Sequence, residues 1–97
     1  MLNRTVAMLR TSTYFSLLAE FGTAQLPLEA VCWKFFRLSF PEARRRAAFH
    51  QLPVPAFRGG SQKSEWLIDA ADLAAHIDKT AEKAREEWQA LNRVRAS

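Results

Sequence analysis

The sequence has few of the residues from which disulfides, metal sites and catalytic pairs are built: it contains one cysteine and two histidines. A single cysteine excludes an internal disulfide bond, and the place of Cys32 near Val31 and Phe35 predicts a buried, reduced thiol. His50 and His76 have no spacing to Cys32 that resembles a metal site or a nucleophile with its base. The sequence therefore predicts a protein that is not an enzyme and that needs no cofactor or metal.

Long apolar runs are also absent. No segment approaches the roughly 18 consecutive apolar residues that span a membrane, and residues 6–9 are too short for the apolar region of a signal peptide. Only three glycines, with 48% hydrophobic residues, argue against a disordered chain. We expect a flexible extension at residues 1–11, followed by one cytoplasmic domain at residues 12–97 that has no membrane partner.

Positive charge is present in excess but is unevenly placed. The net charge is +4, and residues 1–63 hold nine Lys/Arg against three Asp/Glu, whereas residues 64–97 hold five against seven. A basic region of this kind favours a polyanionic partner. The first two thirds of the chain are therefore the place to look for a nucleic-acid interface.

Residues 13–19 begin with β-branched and aromatic side chains, which favours a strand that Gly22 ends. After Pro27, a good first residue of a helix, apolar residues recur with helical spacing at Leu28, Val31, Cys32 and Phe35. This pattern predicts a helix that ends near Leu38.

A second helix is predicted to follow at once. Ser39 and Glu42 have the spacing of a capping box, in which both side chains satisfy backbone N–H groups at a helix start. The helix should run from about residue 41 to Gln51, with Ala43 and Ala47 on its inner face, small enough for the two helices to approach closely.

Three consecutive arginines, Arg44, Arg45 and Arg46, fall on the outer side of this second helix. The donor fork of arginine can bind guanine O6 and N7 together or can hold phosphates. Three adjacent charges on an arbitrary helix are more often a solvated face. The turn before them and the hairpin after them favour a recognition helix instead.

The prolines at 53 and 55 exclude a helix there, and residues 54–69 read as a β-hairpin with a polar loop of about eight residues. The loop supplies donors for phosphate oxygens or a minor groove, from Arg58, Ser61, Gln62, Lys63 and Ser64. The alternative is a flexible surface loop whose polarity only keeps it soluble. Placed after a helix-turn-helix, such a hairpin would be a wing.

A long final helix is predicted, capped by Asp69 or Asp72 and extending to about Asn92. The C-terminal segment at residues 72–95 is assigned to this helix, for packing and dimerisation. Its apolar residues follow a heptad spacing at Ile77, Ala81, Ala84, Trp88 and Leu91. This seam predicts a homodimer. The alternative is that the stripe packs entirely on its own subunit. The fold class that follows is mainly helical α+β: a small winged helix-turn-helix with a β-hairpin wing and a long C-terminal helix.

Several motifs carry a resemblance to known regulators. Leu26-Pro27-Leu28-Glu29-Ala30-Val31, Leu52-Pro53-Val54-Pro55 and Asp72-Leu73-Ala74-Ala75-His76-Ile77 resemble the winged helices of phage excisionases and AlpA-type regulators. Glu42-Ala43-Arg44-Arg45 and Gly60-Ser61-Gln62-Lys63-Ser64 are similar to the pyocin activator family of PrtN-type transcriptional activators. The resemblance covers about residues 12–92. Arg37 departs from it, standing where glycine is common; a left-handed Arg37 would cost on the order of 1 kcal/mol.

The resemblance implies a bacterial, nucleoid-associated activator of bacteriocin or prophage genes that binds double-stranded promoter DNA and helps recruit RNA polymerase. By matching positions, the DNA contacts would come from Pro41, Glu42, Arg44, Arg45, Arg46, His50, Arg58, Ser61, Gln62, Lys63 and Ser64. Two alternatives remain open: an excisionase-like architectural factor that bends DNA, and an anti-repressor or other protein-interaction module.

Overall fold

The computed structural model describes residues 2–60 and 65–96, with side chains described for residues 12–60 and 65–95. Within these ranges the chain forms α1 (Leu2–Phe21), β1 (Gln25–Pro27), α2 (Leu28–Phe36), α3 (Phe40–Ala48), β2 (Phe57–Arg58), β3 (Trp66–Asp69) and α4 (Ala70–Ala96). The strands form one antiparallel sheet in the order β1-β3-β2. This confirms the mainly helical α+β fold with a long C-terminal helix.

The strand predicted at residues 13–19 is wrong, because these residues lie within α1. Four side chains that pack into or against the core, Tyr14, Leu17, Leu18 and Phe21, have the spacing of one helical stripe. Burying that stripe outweighs the strand preference of the β-branched and aromatic residues. Gly22 does end the element, with a φ of 70°. Residues 2–11 continue α1 in the structure, and the flexibility expected of residues 1–11 stays a prediction.

The sheet pairs segments that are far apart in the sequence, with β1 before α2 and β3 before α4. In β1, Leu26 pairs with Ile68 of β3, and both side chains are fully buried. In β2, Phe57 pairs with Leu67, which confirms the predicted hairpin. The strand β1 was not predicted: only its last residue, Pro27, had been assigned to an element, as the first residue of the following helix. Pro27 ends β1 and is the N-cap of α2, one position before its predicted place.

The core lies where α1, the sheet and the beginning of α4 meet α2 and α3. Its fully buried large side chains are Leu26, Leu28, Val31, Ile68 and Leu73. Cys32 is buried and free, as predicted. On α3 the two alanines, Ala43 and Ala47, are 0% and 2% exposed, which confirms that α3 packs closely through small residues.

The helix α4 begins directly after Asp69 and continues to Ala96, past the predicted end at Asn92. Leu73 is buried and Ile77 packs against the core. From residue 82 to residue 95 the helix is exposed, apart from a half-buried Asn92. None of the helices within the described ranges has both the length and the hydropathy needed to cross a bilayer.

Candidate nucleic-acid interface

A three-residue turn, at residues 37–39, joins α2 to α3. The helix α2 ends at Phe36, two residues before its predicted end, because Arg37 adopts the left-handed conformation with φ 56° and ψ 36°. The N–H groups of Arg37 and Leu38 donate to the carbonyls of Trp33 and Cys32, at 3.1 and 3.2 Å. These bonds satisfy carbonyls that the helix end would otherwise leave unpaired. Arg37 is thus in the left-handed conformation that the sequence analysis considered for this position.

The start of α3 follows the predicted capping pattern in part. Ser39 is the N-cap, and its Oγ accepts a hydrogen bond from the Glu42 N–H at 3.4 Å. The Glu42 side chain instead accepts hydrogen bonds from arginines of its own helix. Of the two hydrogen bonds of a capping box, the one accepted by Ser39 is therefore present. The Glu42 carboxylate lies on the outer face of α3 with the arginines.

The predicted end of α3 at Gln51 is wrong, since the helix ends at Ala48. His50 adopts a left-handed conformation with φ 55°. The Gln51 N–H reaches back to the Arg46 carbonyl at 2.8 Å, which turns the chain away from the helix axis. This turn leads into the proline segment at residues 53–55, where a helix could not continue. His50 is therefore an exposed residue beyond the helix, not part of its last turn.

The outer face of α3 holds an ion-pair cluster. The Glu42 carboxylate accepts two hydrogen bonds from Arg45, from Nη2 at 2.7 Å and from Nε at 3.0 Å. It also accepts one from Arg46 Nε at 3.0 Å. Arg45 is exposed and Arg46 is half-buried. One carboxylate thus orients two of the three arginines, and the three groups together carry a net charge of +1.

These contacts change the acidity of the groups. Hydrogen bonds from Arg45 and Arg46 lower the pKa of Glu42 from 4.5 to about 2. The same hydrogen bond with Glu42 raises the pKa of Arg45 above its usual value. The cluster therefore keeps its charges at any pH near neutrality.

The remaining members of the predicted site on α3 are placed around this cluster. Arg44 is exposed, with its guanidinium carbon 5.2 Å from the centre of the Phe40 ring. A cation over an aromatic face is held by the ring quadrupole. Pro41 is exposed in the first turn. The cation-rich face of α3 thus includes three arginines, two held by Glu42 and one lying over Phe40.

The hairpin contributes a further cation. Arg58 of β2 stacks over the Trp66 ring, with its guanidinium carbon 4.5 Å from the ring centre. The predicted wing-tip residues Ser61, Gln62, Lys63 and Ser64 lie outside the described residues. β3 packs on α2, and α2 packs on α3, so the hairpin base and the arginine helix are attached to a common helix.

Sequence reasoning missed the outer face of α2. Trp33 is 63% exposed, and the Arg37 guanidinium carbon lies 5.7 Å from its ring centre. Lys34 is exposed beside them, and its Nζ lies 3.3 Å from a Glu20 carboxylate oxygen. A helical wheel would have found this face, because these residues fall opposite the buried stripe at Leu28 and its neighbours.

Within residues 2–60 and 65–96 no group of three His, Cys, Asp or Glu side chains could hold a metal ion. His76 is half-buried, with its ring edge-on to Phe36 at 5.7 Å between centres. The candidate interface therefore consists of the cationic groups of α3, the hairpin and the outer face of α2.

No curated protein and no solved structure matches the chain. The family described as pyocin activator protein PrtN matches residues 13–84, which run from α1 to the middle of α4 and include α2, α3 and the hairpin. The match covers most of the chain, and the chain therefore belongs to the family of the pyocin activator protein PrtN, a family of regulators.

Proposed function

We propose that this protein is a sequence-specific DNA-binding activator of pyocin or related prophage genes. The observation that carries the proposal is the exposed arginine face of α3, a helix held by a short turn against α2 and followed by a β-hairpin. This order of elements is that of a winged helix-turn-helix, in which the second helix enters the major groove. The same order supports a place among excisionase and AlpA-type winged helices.

In this arrangement Arg45 is the central base-reading candidate. Its guanidinium is exposed, and Glu42 already holds it in one orientation through two hydrogen bonds. An ordered guanidinium loses less conformational entropy when it binds both acceptors of a guanine. Arg44 and Arg46 flank it and suit the phosphates on either side of the groove.

Two other elements would position the helix on the duplex. In helix-turn-helix proteins the first helix crosses the DNA backbone. Here Lys34 is exposed on α2, and Arg37 is exposed in the turn that follows it. The hairpin would add Arg58 and the wing-tip donors at residues 61–64. We assign phosphate contacts to these groups, since such contacts fix orientation and carry no sequence information.

The activating role rests on the family. Membership among pyocin activators favours promoter DNA as the target and RNA polymerase as the protein that is recruited. The site of action would be the nucleoid in the bacterial cytoplasm.

The direct test is selection of binding sites from fragmented genomic DNA of the source bacterium at about 150 mM salt, a concentration that suppresses weak phosphate contacts. We expect enrichment of a short repeated motif upstream of a phage-like gene cluster. On that motif Arg45→Ala should reduce affinity by about 1–3 kcal/mol and relax one base position.

Arg85→Ala is the matched control, because Arg85 pairs with Glu82 at i,i+3 on α4 just as Arg45 pairs with Glu42 on α3. Equal effects of the two substitutions would show that only total charge matters and would refute base reading by α3. Retention of DNA without a motif, accompanied by bending, would favour the architectural role instead. No retention would favour an acidic protein partner.

A further inference from the structure

The last turns of α4 carry large apolar side chains that the described chain leaves in solvent. Trp88, Leu91 and Val94 are 66%, 59% and 75% exposed. They lie beyond Ile77, which packs against the core of its own chain. The seam predicted from residue 77 onward therefore has two parts: a beginning that belongs to the folded domain, and a later part in which Trp88 and Leu91 are exposed.

By themselves, the residues at 84–95 would form a helix of marginal stability. Isolated helices shorter than about 12–15 residues are marginal in water, and most helical stability in proteins comes from packing an apolar face. Ala84, Trp88, Leu91 and Arg95 follow heptad spacing along this part. A regular stripe with these spacings fits another helix better than it fits an irregular surface.

We propose that this stripe binds a second copy of the same chain, with the two helices antiparallel. The choice of orientation follows from the charges. In a parallel pair, Arg95 of each copy would lie opposite Arg95 of the other, at a core position of the seam. In the antiparallel pair, Trp88 of each copy lies against Leu91 of the other. Arg95 then lies over the small Ala84 and within reach of Glu87, one turn further along.

The interface is short. Residues 84–95 span about 17 Å at 1.5 Å per residue, so the buried area falls below the usual range for permanent dimers. The free protein should therefore exchange between monomer and dimer, with dissociation at about micromolar concentration. This inference does not depend on DNA binding, and its test uses the full chain without DNA.

Sedimentation velocity from about 1 to about 300 µM should show a concentration-dependent increase in mass to that of a dimer. Trp88→Glu should weaken association by about tenfold or more, since a tryptophan that becomes buried in an interface is a typical hot spot of binding energy. Trp33→Glu is the matched control: Trp33 is equally exposed, at 63% against 66%, but lies on α2, and its replacement should leave association unchanged. Far-UV circular dichroism checks that both variants keep their helices.

Orientation is tested by exchanging charges. Glu87→Arg and Arg95→Glu should each weaken association, because each places like charges together twice in the symmetric dimer. The double variant should recover it. If the protein is a monomer at all concentrations, or if Trp88→Glu leaves association unchanged, the stripe on α4 is not a dimer interface. Sensitivity to Trp88→Glu without recovery in the double variant overturns the antiparallel orientation.

Discussion

The Glu42 cluster leads to a prediction about how the arginine face discriminates among DNA sequences. With Glu42 present, the carboxylate and the guanidiniums of Arg45 and Arg46 carry a net +1 and are joined by three hydrogen bonds of 2.7–3.0 Å. Glu42→Gln keeps the shape of the side chain and raises this to +2. We expect the variant to bind random-sequence DNA more tightly and to lose sequence preference, because both arginines become free to reach any phosphate.

The size of the effect follows from counterion release. Each phosphate neutralised contributes a slope of about −0.9 in log affinity against log salt concentration. One added net charge steepens the slope by about 0.9, and two freed arginines steepen it by up to about 1.8. Over a fourfold change in salt, this changes the affinity for random DNA by an additional factor of about 3.5 to about 12.

The assay is fluorescence anisotropy on a random duplex and on the selected site, at four or more salt concentrations. Glu82→Gln is the control, because it also releases an arginine from an i,i+3 pair and changes the net charge equally, but on α4. An equal slope change in both variants would show a general charge effect. Weaker binding of Glu42→Gln to random DNA would refute the reasoning, since it would mean that the carboxylate assists the interface.

Two further predictions concern pH and backbone strain. The pKa of Glu42 is lowered in the folded protein from 4.5 to about 2. Its ion pairs therefore stabilise the fold above about pH 4.5, and this stabilisation is lost as the pH falls through about 2. A titration followed by NMR of the side-chain carboxyl should show the low midpoint, and the double variant Arg45→Ala with Arg46→Ala should return the midpoint toward 4.5. At Arg37, which has φ 56°, the Gly variant should be more stable to urea than the Ala variant by about 1 kcal/mol. Both variants lose the contact with Trp33, so the difference between their free energies of unfolding reports the cost of the left-handed backbone at residue 37. Equal free energies of unfolding would contradict the assigned strain.

Local signals predicted the elements that form the candidate interface. The apolar spacing after Pro27 predicted α2, because burying one face of a helix requires that period. Ser39 predicted the start of α3 through its cap, and Ala43 and Ala47 predicted its buried side. The prolines at 53 and 55 predicted the hairpin by excluding a helix. Each of these signals acts within a few residues, so a single sequence is enough to read it.

The elements that the prediction missed depend on partners far along the chain. The residues at 13–19 favour a strand locally, but α1 is helical because the stripe that includes Leu17 packs into the core and Thr13 donates to Asp78 at 2.7 Å, 65 residues away. The strand β1 has three residues and is defined by its pairing with β3. Neither can be read from short-range patterns, since the stabilising groups come together only after folding.

The sequence by itself therefore determined that the chain has a helical, basic unit with three adjacent arginines on one face of a capped helix, since spacing and capping are local properties. The tertiary structure decided how those arginines are presented: Glu42 turns from its cap toward Arg45 and Arg46, and Arg37 becomes left-handed to close the turn. It also decided which part of the long final helix is left uncovered, because burial of Ile77 and exposure of Trp88 depend on where the rest of the chain lies.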